Sequence, residues 1–228
     1  DGSTDEGNPG GGAACGPALG GCTTQTACVG GVVVCRGTFV APTGLPTNPG
    51  TQAAPLNTIS AAQVNAGLIG GGADVCICDP PAAGSTTYNE NVTMIEGTSV
   101  LGGYRCDTWA RNITTYVTRI QDVDADGLTF PHGITSVTAL DGVTVDGQDL
   151  STGSTTAVTV NDSSPSLIDV IVVGGVSPDA IGLRVTETSG GTASPAILRG
   201  TYTATATSGG TATAVRLEAS SPQITNAT

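Results

Sequence analysis

The chain has 228 residues and a net charge of −12, with seven Arg, no Lys, 19 acidic residues and a single His. Because affinity for phosphate depends mainly on basic side chains, this charge disfavours nucleic acid and anionic membrane surfaces as partners, and cations are the more natural ones. Thr and Gly make up nearly a third of the chain, 36 and 34 residues respectively, and amphipathic helical patterns are almost absent. Since Thr favours strands and Gly marks turns, the composition predicts an all-β fold with many short strands.

The N-terminal part differs in composition from the rest. Residues 1–14 are polar and Gly-rich, as in a flexible leader or the mature end left after a secretion signal is removed. Residues 15–48 have too little apolar surface to hold a shape without disulfides, so we expect a small stapled module in an oxidising compartment. Four of the seven cysteines fall in it, at Cys15, Cys22, Cys28 and Cys35. No apolar stretch here is long enough to span a bilayer, although a lipid tether upstream of Asp1 remains open.

Zinc is the alternative interpretation of these four cysteines. Their spacing contains no C-x-x-C pair and His132 is the only histidine, so zinc is the less favoured interpretation. Four cysteines allow three pairings, and the sequence does not choose among them. Because the number of cysteines is odd, one of them is left over. That cysteine is free, joined to another chain, or paired with a cysteine outside this sequence.

From residue 49 the sequence has a recognisable order. A "GTQAAPLNTI" segment leads into a short predicted helix near Ser60–Ala66, "ADVCIC" follows as a strand, and "YNENVTMIEGTSVLGGY" comes next. This order resembles the opening of secreted right-handed parallel β-helix proteins of the pectin-lyase-like superfamily, and in particular surface proteins and lipoproteins of the deltaproteobacterial type. The positions that carry the resemblance are Tyr88, Glu90, Asn91, Val92, Gly97, Gly102, Gly103, Tyr104, Trp109 and Arg111.

The resemblance covers residues 48–150 well, since "TALDGVTVDG" at 138–147 is similar to the family's next coil, and the remainder weakly. It implies a right-handed parallel β-helix over residues 49–228, with a short capping helix. An internal repeat supports stacked coils: "LRV" at 183–185 returns as "VRL" at 215–217, and "SPAILRG" at 194–200 returns as "SPQITNA" at 221–227. A β-sandwich is the structural alternative.

The stretch around "LGGYRCDTW" concentrates the large side chains. Paired glycines at Gly102 and Gly103 predict a sharp bend between strands, where a Cβ would obstruct the backbone. We expect Tyr104 and Trp109 to cover the open end of the hydrophobic core beside the cap, because an open β edge invites aggregation. An aromatic platform for sugar binding is the functional alternative.

Three further cysteines lie in this region. Cys76 and Cys78 are two apart and hence on one face of a strand, and Cys106 comes about one coil later. We therefore expect a disulfide from Cys106 to Cys76 or Cys78. A reactive thiol or a metal site is the alternative, although no His or Lys lies nearby in sequence to lower a thiol pKa.

The sharpest chemical signal is "DVDADG" at 122–127. Asp122, Asp124 and Asp126 alternate and are followed by Gly, like the first half of a calcium loop, in which hard oxygen ligands converge. The twelfth position is Gly133 rather than a bidentate Glu, so Asp141 or a neighbouring coil would have to complete the shell. The sequence predicts calcium as the one candidate cofactor, with an ordinary solvated acidic turn as the alternative.

The same aspartates suggest a polysaccharide-cleaving enzyme, because residues two apart on a strand lie about 6.6 Å apart, near the spacing of inverting glycosidases. Few residues could assist the aspartates in catalysis. His132 is isolated in the sequence, and Arg184, Arg199 and Arg216 could serve as bases, but we expect them to lie on outer faces. The favoured expectation is an extracellular or cell-surface structural or adhesive protein that self-associates or binds surface polysaccharide. Calcium-dependent carbohydrate binding is a third possibility. The final "SPQITNAT" has no evident polar cap, which predicts further coils or a covering subunit.

Overall fold

The computed structural model describes residues 27–29, 32–34, 37–69, 74–80, 86–188 and 191–228. Its elements in chain order are β1 (Ala27–Val29), β2 (Val32–Val34), β3 (Thr38–Val40), α1 (Ile59–Ile69), β4 (Val75–Asp79), β5 (Thr86–Asn89), β6 (Val100–Arg105), β7 (Thr118–Gln121), β8 (Asp126–Phe130), β9 (Ala139–Asp141), β10 (Val143–Asp146), β11 (Ser154–Asn161), β12 (Ser166–Ile168), β13 (Ile171–Thr186), β14 (Ala196–Leu198), β15 (Thr201–Glu218) and β16 (Gln223–Thr225).

Almost all of these strands belong to a parallel solenoid of about five coils. Strands β1 and β2 form a separate antiparallel pair, sheet A. Sheet B contains β3, β4, β6, β9, β12, β14 and β16 in spatial order, and every pairing in it is parallel. Sheet C contains β5, β7, β8, β10, β11, β13 and β15, and it has two arms. The first arm consists of β5, β7, β10 and the first halves of the long strands β13 and β15, and the second arm consists of β8, β11 and their second halves. The all-β parallel β-helix with one short helix is therefore confirmed, and the β-sandwich is excluded.

The predicted internal repeat is also confirmed. In the pairing of β13 with β15, Leu183–Val185 lies opposite Val215–Leu217, and in that of β14 with β16, Ala196–Leu198 lies opposite Gln223–Thr225. Each repeat is therefore one coil stacked on the next, at the strand spacing of about 4.8 Å.

Apolar side chains at equivalent positions stack along the solenoid to form its core. Because alternate residues of a strand face opposite sides, one position in two points inward and meets its counterpart in the next coil. The three stacks are Val75, Val100, Leu140, Leu167, Ile197 and Ile224 in sheet B; Tyr88, Ile120, Val145, Val172 and Tyr202 in the first arm of sheet C; and Leu128, Val158, Leu183 and Val215 in the second arm.

The helix α1, predicted near Ser60–Ala66, covers the N-terminal end of this core. Its buried Ile59, Ala62 and Ala66 belong to the same apolar cluster as Val40 of β3. Since β3 pairs with β4, sheet B begins inside the segment 15–48 that the sequence assigned to the Cys-rich module. Residues 1–26, which include the predicted leader, lie outside the described residues, so the domain boundaries remain a prediction.

The double glycine at 102–103 has two separate causes. Gly103 has a φ of 80°, in the left-handed region that the sequence predicted for this bend. At Gly102 the reason is the next coil, because a Cβ there would lie 2.4 Å from the carbonyl oxygen of Gly142. In each later coil the residue directly after the sheet B strand also has a positive φ, at Gly142, Asp169, Arg199 and Asn226.

The prediction that Tyr104 and Trp109 cover the end of the core is wrong. Both side chains lie in a second apolar cluster, on the outer face of sheet B, together with Phe39 and Leu101. Trp109 packs edge-to-face on Phe39 with ring centroids 4.6 Å apart, and only 7% of it is exposed. These aromatic rings are packed rather than displayed, which does not fit an aromatic sugar platform.

Candidate functional site

The aspartate turn connects β7 to β8 on one corner of the solenoid. Asp124 and Asp126 are exposed, and the backbone N–H of Asp126 donates to a carboxylate oxygen of Asp124 at 3.2 Å. Asp122 behaves differently, because the turn folds over it and leaves only 2% of the residue exposed. The three aspartates that look equivalent in the sequence are therefore one buried carboxyl group and two solvated ones.

The Asp122 carboxyl group has no well-formed hydrogen bond to either oxygen. Burial, with a smaller contribution from the negative charges of Asp124 and Asp146, raises its pKa to about 8, while the backbone N–H of Leu128 opposes the rise. An unbonded buried carboxylate is costly, so the neutral acid is the favoured form at pH 7.

Neighbouring coils hold the turn in place. The side-chain oxygen of Asn91, in the coil before, accepts the Val123 N–H at 2.9 Å, and the Gln148 amide, in the coil after, donates to the Val123 carbonyl at 3.1 Å. Gly127 is required by close packing, because a Cβ there would lie 2.0 Å from Oδ2 of Asp122. The buried Asp122 is thus part of the turn's architecture and is not the result of a loose loop.

Asp141, predicted to complete a calcium shell, lies elsewhere. It ends β9 in sheet B, and its carboxylate pairs with the Arg111 guanidinium at 2.8 Å; both side chains are almost fully buried. Arg111 also donates to the Gly102 carbonyl and lies over the Tyr104 ring. The pair fastens the outer loop 106–113 to the corner between sheets B and C.

Among the residues that the structure describes, no three His, Cys, Asp or Glu side chains form a group that could hold a metal ion. Asp122, Asp124, Asp126 and Asp141 are therefore not brought together as one set of ligands. Calcium stays a prediction from the sequence pattern. The carboxylates whose negative charges raise the pKa of Asp122 are those of Asp124 and Asp146. Of these two, Asp146 is not predicted as a site residue from the sequence.

The cysteine prediction is confirmed where the structure describes it. Cys78 and Cys106 form a disulfide with a sequence separation of 28, which joins β4 to the outer loop. Cys76 is also disulfide-bonded. Both observations exclude the reactive-thiol interpretation for these residues. The side chains of Cys15, Cys22, Cys28 and Cys35 lie outside the described residues.

In the segment "YNEN" at 88–91, the side chains of Tyr88 and Glu90 form hydrogen bonds to earlier segments of the chain. Tyr88 donates its hydroxyl to the Cys78 carbonyl at 2.8 Å, and its own pKa is raised by burial. Glu90 accepts the N–H groups of Ile59 and Ser60 at 2.7 and 3.0 Å, and also the Ser60 hydroxyl. Because the first N–H groups of a helix have no partner within it, Glu90 caps α1 from the next coil.

Replacing Glu90 with Ala removes all three of these bonds, so we expect a loss of about 1 to 2 kcal/mol in the free energy of unfolding, measured in urea. Glu90→Gln is the matched control, because it keeps one acceptor and should lose less than half as much. Hydrogen exchange at Ile59 and Ser60 should quicken in the Ala variant alone. Equal stability of the Ala variant and the wild type would contradict the capping role.

The basic residues considered for enzymatic chemistry, His132 and the three arginines, lie on outer faces and have acidic partners. His132 is largely exposed, with its ring nitrogen 4.0 Å from an oxygen of Asp162. Arg184 and Arg216 both pair with Glu218. Arg199 pairs with Asp169 through two nitrogens, at 2.9 and 2.8 Å. The predicted outward positions of the three arginines are confirmed.

Sequence reasoning missed the charged corner formed by Arg111, Asp141, Asp169 and Arg199. Asp169 and Arg199 occupy the same left-handed position in consecutive coils, and Arg111 and Asp141 lie beside them. The segments "LDGV", "LIDV" and "ILRG" can be aligned in the sequence, but no local pattern reveals that residues about 30 apart form pairs.

Comparison of the chain with protein-family models, curated proteins and solved structures finds no match. In the described parts of the chain, no helix is long and apolar enough to cross a membrane. What the chain does must therefore be inferred from its own residues.

Proposed function

We propose that the chain is an extracellular or cell-surface structural or adhesive β-helix protein that associates with copies of itself, and that it is related to the pectin-lyase-like surface proteins it resembles. The observation that carries this proposal is an exposed aliphatic group on the outer side of sheet C, where Ile171 and Val173 of one strand, and Val176 just after a β-bulge in the same strand, are all exposed. Exposed aliphatic side chains grouped in this way are a usual mark of an interaction surface. A rigid scaffold with such a surface suits assembly.

Export to an oxidising compartment is supported by the cysteines. The Cys78–Cys106 disulfide lies in the outer layer rather than the core, where it fastens a loop onto sheet B. Structural disulfides of this kind persist outside the reducing cytosol. We therefore place the protein outside the cell or on its surface, after removal of a secretion signal.

Carbohydrate recognition is the second candidate function, and one surface favours it. A groove of about 490 Å³ has mostly small polar side chains along it, among them Thr135, Ser163, Ser164, Thr192, Ser194 and Asp162. The Ser163 hydroxyl is buried there without a hydrogen-bond partner. Hydroxyl and carboxylate groups of this kind can bind a neutral sugar, either as a binding module that needs calcium or as a polysaccharide-cleaving site.

Three measurements distinguish these functions. Protease or antibody accessibility on intact source cells should show the protein at the surface, and a deletion strain should lose adhesion or surface structure. Purified protein should release no new reducing ends from a panel of polysaccharides, with or without calcium. Reducing ends released by wild type but not by Asp162→Asn would replace the structural proposal with the enzyme.

Calcium is tested separately by thermal unfolding in chelator and in added calcium. We propose that calcium raises the unfolding temperature of the wild type more at pH 8 than at pH 5, since binding requires ionised carboxylates. If calcium raises the unfolding temperature of Asp124→Asn as much as that of the wild type, or raises neither, then calcium does not bind at the aspartate turn.

A further inference from the structure

Two neighbouring strands present a group of exposed β-branched side chains, with a β-bulge between Val173 and Val176. Ile171, Val173 and Val176 of β13 point outward and are 44%, 36% and 39% exposed. In the parallel pairing of β13 with β15 they lie directly opposite three exposed threonines. We call these six side chains the β-branched face: Ile171, Val173, Val176, Thr201, Thr203 and Thr205.

Side chains of this kind suit sheet-to-sheet contact. β-branched residues have restricted χ1 rotamers, so little side-chain entropy is lost when a second surface covers them. Other exposed valines of the described chain, such as Val123 and Val137, lie in turns and are not part of such a row. The β-branched face is therefore both apolar and pre-organised.

Two of the acidic groups beside this face are paired with arginines, although the chain as a whole carries −12. Asp146, which lies opposite Val173 on the neighbouring strand, pairs with Arg119. At the Ile171 end, Asp169 pairs with Arg199. Two copies of so acidic a chain repel each other in general, and these two pairs reduce the repulsion on this side.

The two ends of the face are complementary to each other. The Arg199 guanidinium at the Ile171 end is a third exposed, and at the far end the Asp149 carboxylate accepts the Val176 N–H at 2.7 Å. A groove of about 330 Å³ opens beside Ile171 and Thr201. A two-fold axis near Val173 would place Arg199 of one copy beside Asp149 of the other.

We infer that the β-branched face packs against the same face of a second copy, forming a closed two-fold dimer with the two sheets stacked face to face. The two-fold arrangement sets Val176 of one copy into the groove at Ile171 of the other. Because the same surface is used on both copies, the contact closes and does not by itself propagate a filament. This inference rests on the proposed self-association and specifies where it occurs.

The test compares two variants of the full chain by sedimentation velocity over a range of concentrations. The face variant carries Ile171→Thr, Val173→Thr and Val176→Thr, which keep β-branched shape and strand propensity while removing apolar surface. The control variant carries Val123→Thr and Val137→Thr, at exposed valines away from the face. Circular dichroism and thermal unfolding check that both variants fold.

We expect the face variant to raise the dimer dissociation constant by about a hundredfold or more, since six aliphatic side chains leave the interface, while the control stays at the wild-type value. If wild type and face variant dimerise equally, the face is wrong and self-association stands. If the wild type is monomeric throughout, this inference and the proposed self-association both fail. An equal loss in both variants would overturn the assignment to this face.

Discussion

Asp122→Asn is expected to stabilise the protein at neutral and alkaline pH and to flatten its pH dependence between about pH 4 and pH 8. The folded-state pKa of Asp122 is about 8, against 3.8 for the ordinary side chain. Between these values the folded chain holds a proton that the unfolded chain has released. Stability is therefore greatest at low pH and falls as the pH rises, until the folded carboxyl group also ionises near pH 8.

The size of the effect follows from the same linkage. Each pKa unit corresponds to about 1.4 kcal/mol, so the wild type should lose up to about 6 kcal/mol from this group across the interval. The Asn side chain has no charge to bury, and its amide can donate toward the Asp146 or Asp124 carboxylate. The measurement is urea unfolding at several pH values in the presence of a chelator.

Asp126→Asn is the control for this comparison, because it removes an exposed carboxylate from the same turn. It should follow the wild-type curve within about 0.5 kcal/mol at each pH. If instead Asp122→Asn is destabilised at every pH, and its curve parallels that of the wild type, then Asp122 is ionised in the folded protein and the turn is held differently.

Removing the Cys78–Cys106 disulfide is the second large effect. A link between cysteines 28 residues apart restricts the unfolded chain, so Cys78→Ala with Cys106→Ala should lower the free energy of unfolding by about 3 to 4 kcal/mol. The loop that carries Trp109 should loosen with it. Urea unfolding followed by circular dichroism measures the first effect.

The fluorescence of Trp109 reports the second effect. It is the only Trp of the chain and packs on Phe39, so its emission should shift toward the red in the double variant before any unfolding. Thr87→Ala, at an exposed position of β5, serves as the control and should change neither signal. An unshifted emission together with wild-type stability would show that the outer cluster holds the loop without the disulfide.

The solenoid could be predicted because its signals are local and repeated. Short strands punctuated by Gly and Asp, a helix ahead of "ADVCIC" and two ordered repeats each indicate stacked coils, and the pairings of β13 with β15 and of β14 with β16 follow those repeats. The Cys78–Cys106 disulfide was foreseen as one of two possibilities, since a spacing of about one coil places cysteines side by side.

When both sides of a strand are buried, the sequence does not show which side a given residue faces. Leu101 and Val100 are adjacent and both apolar, yet Val100 enters the core and Leu101 the outer cluster. Tyr104 and Trp109 were misplaced for this reason, because nothing local shows that the loop after β6 returns to cover sheet B.

The candidate site was predicted less well than the fold. The alternating aspartates suggest equivalent ligands, whereas Asp122 is buried by contacts from the coils before and after it. Asp141 pairs with Arg111, 30 residues away, and no short motif encodes such a pair. Charge pairing between coils depends on the lengths of the turns, which vary along this chain.

The most direct test of the account is the molar mass of the native protein in solution, measured by light scattering over a wide range of concentrations. The chain has a mass of 22.3 kDa. We expect a rise to twice that mass as the concentration increases, with no larger species formed through the β-branched face. A constant monomer mass at all concentrations would contradict self-association, and the search for function would then move to the hydroxyl-lined groove.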